Sequence, residues 1–278
     1  FILSYIALYA VVLVLLRIFY PNLGVTPRRL VALSLSFVPI FVLILQSIGQ
    51  FTIRDLLVAA GLLLALAFFF KKTDFLIIGS GVAGLNAAIE AAKHGEVLLV
   101  TKSTLDESSS YWAQGGVAAV LADTDSYENH ISDTLDAGRG YCDPEAVEIL
   151  VKEGADRVNE LIEHGMPFER TNGALNLGME GGHSNRRILH ANGAATGKAL
   201  VDFLTSKIRE NDQITITENV FVYDLISDDN QCFGALAYVY KEDNVVQIQS
   251  KATVLATGGY SGLYTRSTNP HTSTGDGL

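Results

Sequence analysis

Long apolar runs dominate the first part of the chain, and shorter mixed patterns replace them afterwards. The runs show no polar face at the helical period of about 3.6 residues, which a surface helix would have. A helix that crosses a bilayer needs about 20 apolar residues. The pattern therefore predicts a membrane segment over residues 1–72, with two to three transmembrane helices at approximately residues 1–19, 30–49 and 53–70.

Basic residues next to these runs predict their orientation. Arg17, Arg28 and Arg29 lie between the first two runs, and Lys71 and Lys72 follow the third. Because Lys and Arg concentrate in cytoplasmic loops, we expect everything after Lys72 to be cytoplasmic and anchored through the membrane segment. A natural tethered protein and an artefactual join of two coding regions both remain open as explanations of this segment.

A strand–turn–helix–strand pattern follows the membrane segment. Residues 74–78 are typical of a buried parallel strand, residues 85–94 predict an Ala-rich helix, and residues 97–100 predict a second strand. The turn in between contains three glycines, which permit a tight turn, backbone approach to a pyrophosphate and close helix–strand packing. The pattern predicts a dinucleotide-binding domain over residues 73–278, with phosphates at the helix N-terminus. The turn reads Gly79-Ser80-Gly81-Val82-Ala83-Gly84.

Charge and cysteine content narrow the function further. The whole chain has 30 acidic and 20 basic residues, which argues against nucleic acid as a partner. Cys142 and Cys232 lack zinc-like spacing, so no metal is expected. The second strand ends in Thr101-Lys102 where an acid usually binds the ribose. Lys102 is predicted to contact phosphate or the adenine side of a nucleotide, with an exposed loop lysine as the alternative.

A serine- and glycine-rich loop, Ser-Ser-Ser-Tyr-Trp-Ala-Gln-Gly-Gly at residues 108–116, carries a family resemblance. It resembles the second flavin-contact loop of the fumarate reductase, succinate dehydrogenase and L-aspartate oxidase flavoproteins. In the dehydrogenase branch, the position of Ser109 holds a histidine that is bonded covalently to FAD. Serine cannot form that bond, so the resemblance implies non-covalent FAD.

Residues 180–190, Glu-Gly-Gly-His-Ser-Asn-Arg-Arg-Ile-Leu-His, resemble the substrate motif of the L-aspartate oxidase family. Dicarboxylate dehydrogenases usually have an apolar or aromatic residue in place of Glu180. A carboxylate there pairs with the amine that distinguishes aspartate from succinate. The resemblance implies that Glu180 recognises this amine and that His183 lies at the same site, as candidate catalytic residues. Arg186 and Arg187 stay open between a substrate role and a structural ion pair, and Met179 replaces an arginine of the family.

The rest of the chain predicts a helix at residues 196–209 and short strands at residues 214–217, 220–226, 232–240, 245–250 and 253–256. The fold class is therefore α/β: a Rossmann-like FAD-binding domain with a small antiparallel β insertion, preceded by the membrane helices. The resemblance also implies FAD contacts beyond the first two motifs. The predicted FAD contacts are Gly79, Ser80, Gly81, Val82, Ala83, Gly84, Lys102, Ser109, Ser110, Gln114, Gly115, Gly116, Val222, Thr257, Gly258 and Asp276.

The resemblance covers residues 74–278 and implies oxidation of L-aspartate to iminoaspartate, with oxygen or fumarate as electron acceptor. The product would feed quinolinate and NAD biosynthesis, with quinolinate synthase as a pathway partner. A fumarate reductase or succinate dehydrogenase flavoprotein is an alternative that Ser109 and Glu180 oppose. A non-catalytic, membrane-tethered flavin-fold module is another. The family's capping domain and proton-transferring arginine are expected beyond Leu278, so we expect an incomplete fragment that is inactive alone.

Overall fold

The computed structural model describes residues 9, 12, 36 and 70–278. The predicted transmembrane helices lie almost entirely outside these residues. Within the part of the chain that the structure describes, no helix is both long and apolar enough to cross a bilayer. Strand β1 begins at Phe70, so Lys71 and Lys72 lie inside a strand of the following domain rather than before it. Their backbones align with those of Ile248 and Gln249.

A six-stranded sheet with the strand order β8-β2-β1-β11-β10-β9 forms the centre of the domain. β8, β2, β1 and β11 run parallel, whereas β9, β10 and β11 form an antiparallel meander. All five residues of β2 are buried, as expected for a strand with both faces covered. The strands are β1 (Phe70–Ile78), β2 (Val97–Thr101), β8 (Ile214–Glu218), β9 (Val220–Ser227), β10 (Cys232–Val239) and β11 (Asn244–Leu255).

Two different layers cover the two faces of the parallel strands. Side chains alternate between the faces of a strand, so Leu76 and Ile78 point one way and Ile77 the other. Ile77 packs in a cluster with apolar residues of helices α1 (Val82–Ala91) and α4 (Thr196–Arg209). Leu76 and Ile78 pack with residues of the meander. Helices thus cover one face and antiparallel strands the other, which leaves the strand ends free to form a site.

The antiparallel strands β9 and β10, which the sequence predicted as a small β insertion, are continuous with the main sheet. The sequence pattern suggested two strands, at residues 245–250 and 253–256. The structure has a single 12-residue strand, β11. Its first part pairs with β10 and its later part pairs only with β1. The strand continues through Lys251 and Ala252, neither of which is a glycine or proline.

Two helices and five short strands lie between β2 and α4. Helix α2 (Tyr127–Ala137) is preceded by the N-cap residue Ser126, whose side chain accepts a hydrogen bond from the Asn129 N–H. Helix α3 (Pro144–Glu163) is preceded by the N-cap residue Asp143 and has a proline in its first turn. Strands β3 (Val117–Ala118), β7 (Ile188–Leu189) and β6 (Leu177–Gly178) form a small sheet in that order, and β4 (Arg170–Thr171) pairs with β5 (Ala174–Leu175).

Candidate active site

The glycine-rich turn after β1 is packed so closely that side chains cannot enter it. Gly79 has a φ of 114°, and a Cβ there would lie 2.2 Å from the carbonyl oxygen of Ala256. A Cβ on Gly84 would lie 2.0 Å from the carbonyl oxygen of Gly79. The first glycine thus lets the chain turn at the sheet edge, and the third lets helix α1 rest directly on that turn.

The N-terminus of α1 is open towards this turn. Its N-cap residue, Gly81, has no side chain to cap the helix. The Val82 N–H donates instead to Ser110 Oγ, over 3.1 Å. Unpaired N–H groups and the helix dipole favour negative charge at such an end. The serine loop therefore lies at the position where a phosphate would be bound.

An open cleft extends along the carboxyl ends of β1, β2 and β11, the usual ligand position in such sheets. It encloses about 710 Å³ of empty space, part of which is continuous with solvent. Ten of the predicted FAD contacts line it, although they come from six separate segments. These are Gly79, Ser80, Gly81, Lys102, Ser109, Ser110, Val222, Thr257, Gly258 and Asp276.

The other six predicted FAD contacts do not line this cleft. Val82 and Ala83 line a different groove, between α1, α3 and α4. Gly84 packs on Gly79, as described above. A Cβ on Gly116 would lie 2.3 Å from Ile188 Cγ2, so this glycine lets its loop pack on β7. Gln114 and Gly115 belong to the same loop, outside the cleft lining.

The sequence interpretation missed several residues that line the cleft. Thr272 and Ser273 are among them, and Ser273 Oγ lies 2.9 Å from Ser109 Oγ. Both residues directly precede the Thr-Gly-Asp motif at residues 274–276, and this position could have indicated that they contact FAD. Thr101, which the sequence offered as a weaker hydrogen-bond acceptor in place of the usual acid, also lines the cleft, and its Oγ1 accepts a hydrogen bond of 3.0 Å from Ser80 Oγ. The remaining missed residues are Ile78, Val100, Glu107, Ser108, Val220, Phe221 and Ala256.

Lys102 and Asp276 form an ion pair with each other across the cleft. The Lys102 ammonium also donates to Thr274 Oγ1 at 2.7 Å, and Thr274 Oγ1 donates to Asp276 Oδ1 at 2.7 Å. Burial acts to raise the pKa of the Asp276 carboxyl, but the hydrogen bonds from Lys102 and Thr274 outweigh it and hold that pKa below its ordinary value. The Asp276 carboxyl is therefore ionised at pH 7, and its pairing with Lys102 ties the end of β2 to the C-terminal segment.

The N-terminus of α4 holds the serine-rich loop in place. The Gly197 N–H donates to the carbonyl oxygen of Ala113 at 3.1 Å. A Cβ on Gly197 would lie 2.2 Å from the Ser110 carbonyl oxygen, so only glycine permits this approach. The Lys198 ammonium donates to the Tyr111 hydroxyl and lies 4.6 Å from the centre of its ring. The first residues of α4 thus support the loop at residues 108–116.

Arg187 lies in a buried ion-pair network. Its side chain is fully buried, and it donates to both carboxylate oxygens of Asp125 at 2.8 and 2.7 Å. It also donates to Asp133 Oδ2 at 2.6 Å. Asp133 in turn accepts from the Ser184 N–H and hydroxyl, at 2.7 and 2.8 Å. Of the two roles left open by the sequence, these contacts fit a structural ion pair, whereas Arg186 is exposed and reaches the Leu177 carbonyl at 3.4 Å.

Histidines adjoin this network on one side. His183 Nδ1 lies 3.3 Å from Arg187 Nη1, and its ring centre is 5.8 Å from that of His130. His130 is buried, and no hydrogen-bond partner of its Nδ1 is present among the described residues. Burial, followed by the positive charge of Arg187, lowers the pKa of the His130 imidazole. His130 is therefore neutral at pH 7.

Glu180 and His183 are neighbours in the backbone, but their side chains have different partners. The His183 N–H donates to the Glu180 carbonyl oxygen at 3.2 Å. The Glu180 carboxylate, however, bonds to His190 Nε2 at 2.9 Å, whereas His183 faces the Arg187 network. Neither residue lines the cleft beside the glycine turn. The Glu180 side chain is 49% exposed and so remains accessible to a ligand.

Comparison with known proteins places these features in context. The model of the FAD binding domain family matches residues 74–278. An L-aspartate oxidase of Ralstonia nicotianae is 44% identical over 74% of this chain and 40% of its own length. The L-aspartate oxidase of Streptomyces coelicolor is 46% identical over 74% of the chain and 36% of its own length. The chain thus spans about two fifths or less of these relatives.

Solved structures show the same fold. A variant of E. coli quinol fumarate reductase superposes with a TM-score of 0.72 at 33% identity, covering 75% of this chain and 36% of that one. Sdh1 of Mycobacterium smegmatis superposes with a TM-score of 0.71 at 33% identity, covering 75% and 37%.

Proposed function

Since the chain belongs to the FAD binding domain family and its cofactor is FAD, we propose that it supplies the cofactor site and the amine-recognising part of an enzyme that oxidises L-aspartate to iminoaspartate. The observation that carries this proposal is the position of Glu180. Its half-exposed carboxylate bonds to His190, and the His190 ring lies against Gly116 of the flavin-contact loop. A carboxylate beside a flavin loop suits a substrate that carries an ammonium group.

The residues of the cleft fit the pyrophosphate part of FAD. Gly79 and Gly81 keep side chains out of the turn, and the N-terminus of α1 offers N–H groups and a favourable dipole. Ser109 and Ser110 also line the cleft and supply hydroxyl groups, and Ser110 Oγ lies beside the N-terminus of α1. Because a serine hydroxyl does not form the histidyl linkage, we infer that FAD is held non-covalently. When bound, FAD would accept the two electrons released as the amine is oxidised to an imine.

We assign recognition of the positively charged substrate ammonium to side chains of this chain. Glu180 binds the substrate ammonium through a charge-assisted hydrogen bond, and an apolar residue there would leave that ammonium unpaired. His183 lies one turn away and is retained as a candidate substrate contact on sequence grounds alone. Arg187 already forms ion pairs with two aspartates, so we assign it the role of holding the turn that contains His183 in place.

Further partners follow from the resemblance and from the relatives' names. We propose L-aspartate as substrate, because relatives at 44 and 46% identity are named L-aspartate oxidase. Oxygen or fumarate is proposed as electron acceptor. A role in quinolinate and NAD biosynthesis beside quinolinate synthase, a cytoplasmic location and a membrane anchor in residues 1–72 stay predictions from the sequence.

Dicarboxylate oxidoreduction is the second candidate function. The solved structures that match include a quinol fumarate reductase and Sdh1, each at 33% identity over about three quarters of this chain. A succinate- or fumarate-specific site has no ammonium to bind, and Glu180 would then repel a substrate carboxylate. The two candidate functions therefore differ in the charge of the substrate group that would lie next to Glu180, which is positive in aspartate oxidation and negative in dicarboxylate oxidoreduction.

Flavin reduction distinguishes them directly. The FAD-loaded product of the whole coding region is mixed anaerobically with L-aspartate and, separately, with succinate, and its flavin absorbance is recorded. We expect bleaching by aspartate only, and release of free FAD on denaturation. Glu180→Gln should weaken the response to aspartate by at least tenfold, whereas Glu153→Gln on the exposed side of α3 should not. Bleaching by succinate only would reject the proposed substrate, and FAD that stays attached after denaturation would reject non-covalent binding.

A further inference from the structure

His190 lies where the flavin-contact loop meets the substrate motif. It directly follows β7, the middle strand of the small sheet, whose neighbour β3 continues from the flavin-contact loop. Leu189 aligns with Val117 in this pairing, which brings His190 beside Gly116. The other neighbour, β6, leads to Glu180 two residues later. A residue at this position contacts both the flavin loop and the substrate motif.

Two glycines make room for the imidazole ring. A Cβ on Gly178 would lie 2.9 Å from His190 Cε1, and a Cβ on Gly116 would lie 3.1 Å from His190 Nε2. The first contact is shorter than real Cβ atoms show, and the second is tighter than usual. The ring is thus confined between two backbone segments, and its side chain is 25% exposed. Such confinement fixes the direction in which Nε2 points.

The hydrogen bond between His190 and Glu180 has a defined direction. A carboxylate only accepts, so His190 Nε2 must carry the proton that is donated to Glu180 Oε1 at 2.9 Å. The Glu180 side chain is half exposed and would otherwise sample several rotamers. A carboxylate has about four lone-pair sites, so one bond from His190 leaves capacity for an ammonium group.

We propose that His190 is a positioning residue that fixes the Glu180 carboxylate for a substrate ammonium group. This inference rests on the proposed function and deepens it, since it assigns amine selectivity to a pair of residues. The confined imidazole orders Glu180 before the substrate arrives, so less conformational entropy is lost on binding. The effect acts on ligands that carry an amine and leaves binding of the carboxylate groups unaltered.

The test compares an amine-bearing ligand with its deaminated analogue. In the FAD-loaded product of the whole coding region, the KM for L-aspartate and the competitive inhibition constant of succinate are measured for the unaltered protein, His190→Leu and His190→Gln. We expect His190→Leu to raise the KM for aspartate about tenfold and to change the succinate constant less than twofold. His190→Gln, whose amide can donate to Glu180, should stay within about threefold of the unaltered protein in both.

A second background tests whether His190 acts through Glu180. In a Glu180→Gln protein, adding His190→Leu should change the aspartate KM less than twofold, because the carboxylate to be positioned is gone. Equal rises for aspartate and succinate, or a full effect in the Glu180→Gln background, would show a merely structural role. If His190→Leu loses FAD, His190→Asn, whose shorter side chain falls short of Glu180, takes its place with the same expectations.

The measurements distinguish failure of the proposed function from failure of the positioning role of His190. If the unaltered protein neither binds nor oxidises aspartate, the substrate assignment falls and the positioning role falls with it. If the unaltered protein oxidises aspartate and the His190 variants match it, only the positioning role is rejected.

Discussion

Replacing Arg187 tests whether the buried ion-pair network stabilises the fold. Arg187 and the Asp125 side chain are both 0% exposed, and the Asp133 side chain is 16% exposed. In Arg187→Met the apolar stem is largely kept, but the Asp125 carboxylate loses two hydrogen bonds and, among the described residues, the only cation that pairs with it. Breaking a buried pair by removing one partner costs about 3–5 kcal/mol. That is a large part of the approximately 5–15 kcal/mol by which a domain is typically stable.

The assay is urea unfolding followed by circular dichroism at one fixed, saturating FAD concentration, because bound ligand adds to apparent stability. Arg186→Met is the matched control. Arg186 is exposed and makes one long contact, so its loss should cost less than about 0.5 kcal/mol. The double variant Asp125→Asn/Arg187→Met should recover part of the loss, since the fully buried carboxylate of Asp125 is then replaced by a neutral amide. A loss below about 1 kcal/mol in Arg187→Met, or a double variant as unstable as the sum of its parts, would refute the reasoning.

Two further predictions concern the loop and the response to acid. Gly197→Ala should lower FAD affinity at least tenfold in a flavin fluorescence titration, because its Cβ would lie 2.2 Å from the Ser110 carbonyl oxygen. Gly154→Ala in α3, whose Cβ meets open space, should leave FAD affinity unchanged. Equal FAD affinities of the two variants would contradict the packing argument. The free energy of unfolding should fall as the pH drops below 6.5, because the folded pKa of His130 is lowered and the unfolded chain takes up that proton first. It should fall again between about pH 4 and 2, because the pKa of Asp133, which burial alone would raise, is lowered to about 2 by hydrogen bonds from Ser184 and Arg187. A flat profile across either range in urea titrations at fixed FAD would count against the corresponding group, and His130→Gln should abolish only the upper decline.

The glycine-rich turn was predictable from the sequence because it depends on local chemistry. A glycine turn between a strand and a helix encodes a steric requirement within a few residues, and the close contacts of Gly79 and Gly84 are that requirement. The helix at Thr196–Arg209 was predicted with these bounds, since its apolar spacing is local. Strands β8, β9 and β10 were predicted within one residue or two for the same reason.

Features that join distant segments were not readable in this way. Periodicity indicated two strands where β11 is continuous, because the pairing partner that carries the strand past Ser250 is β1, more than 170 residues earlier. The pairing of Lys102 with Asp276 was equally hidden, since each residue had been assigned to FAD separately. Sequence spacing does not show which charges neutralise each other.

The sequence by itself determined the class of cofactor site, because tight turns and helix starts depend on neighbouring residues. Only the tertiary structure decided the roles of adjacent residues in one motif. Arg186 and Arg187 are chemically identical, yet the fold leaves one exposed and buries the other between Asp125 and Asp133. His190 likewise becomes a partner of Glu180 only because β7 lies between β3 and β6. Burial and partner choice depend on the whole packed chain, since desolvation and hydrogen bonding act between groups that are near in space and far apart in sequence.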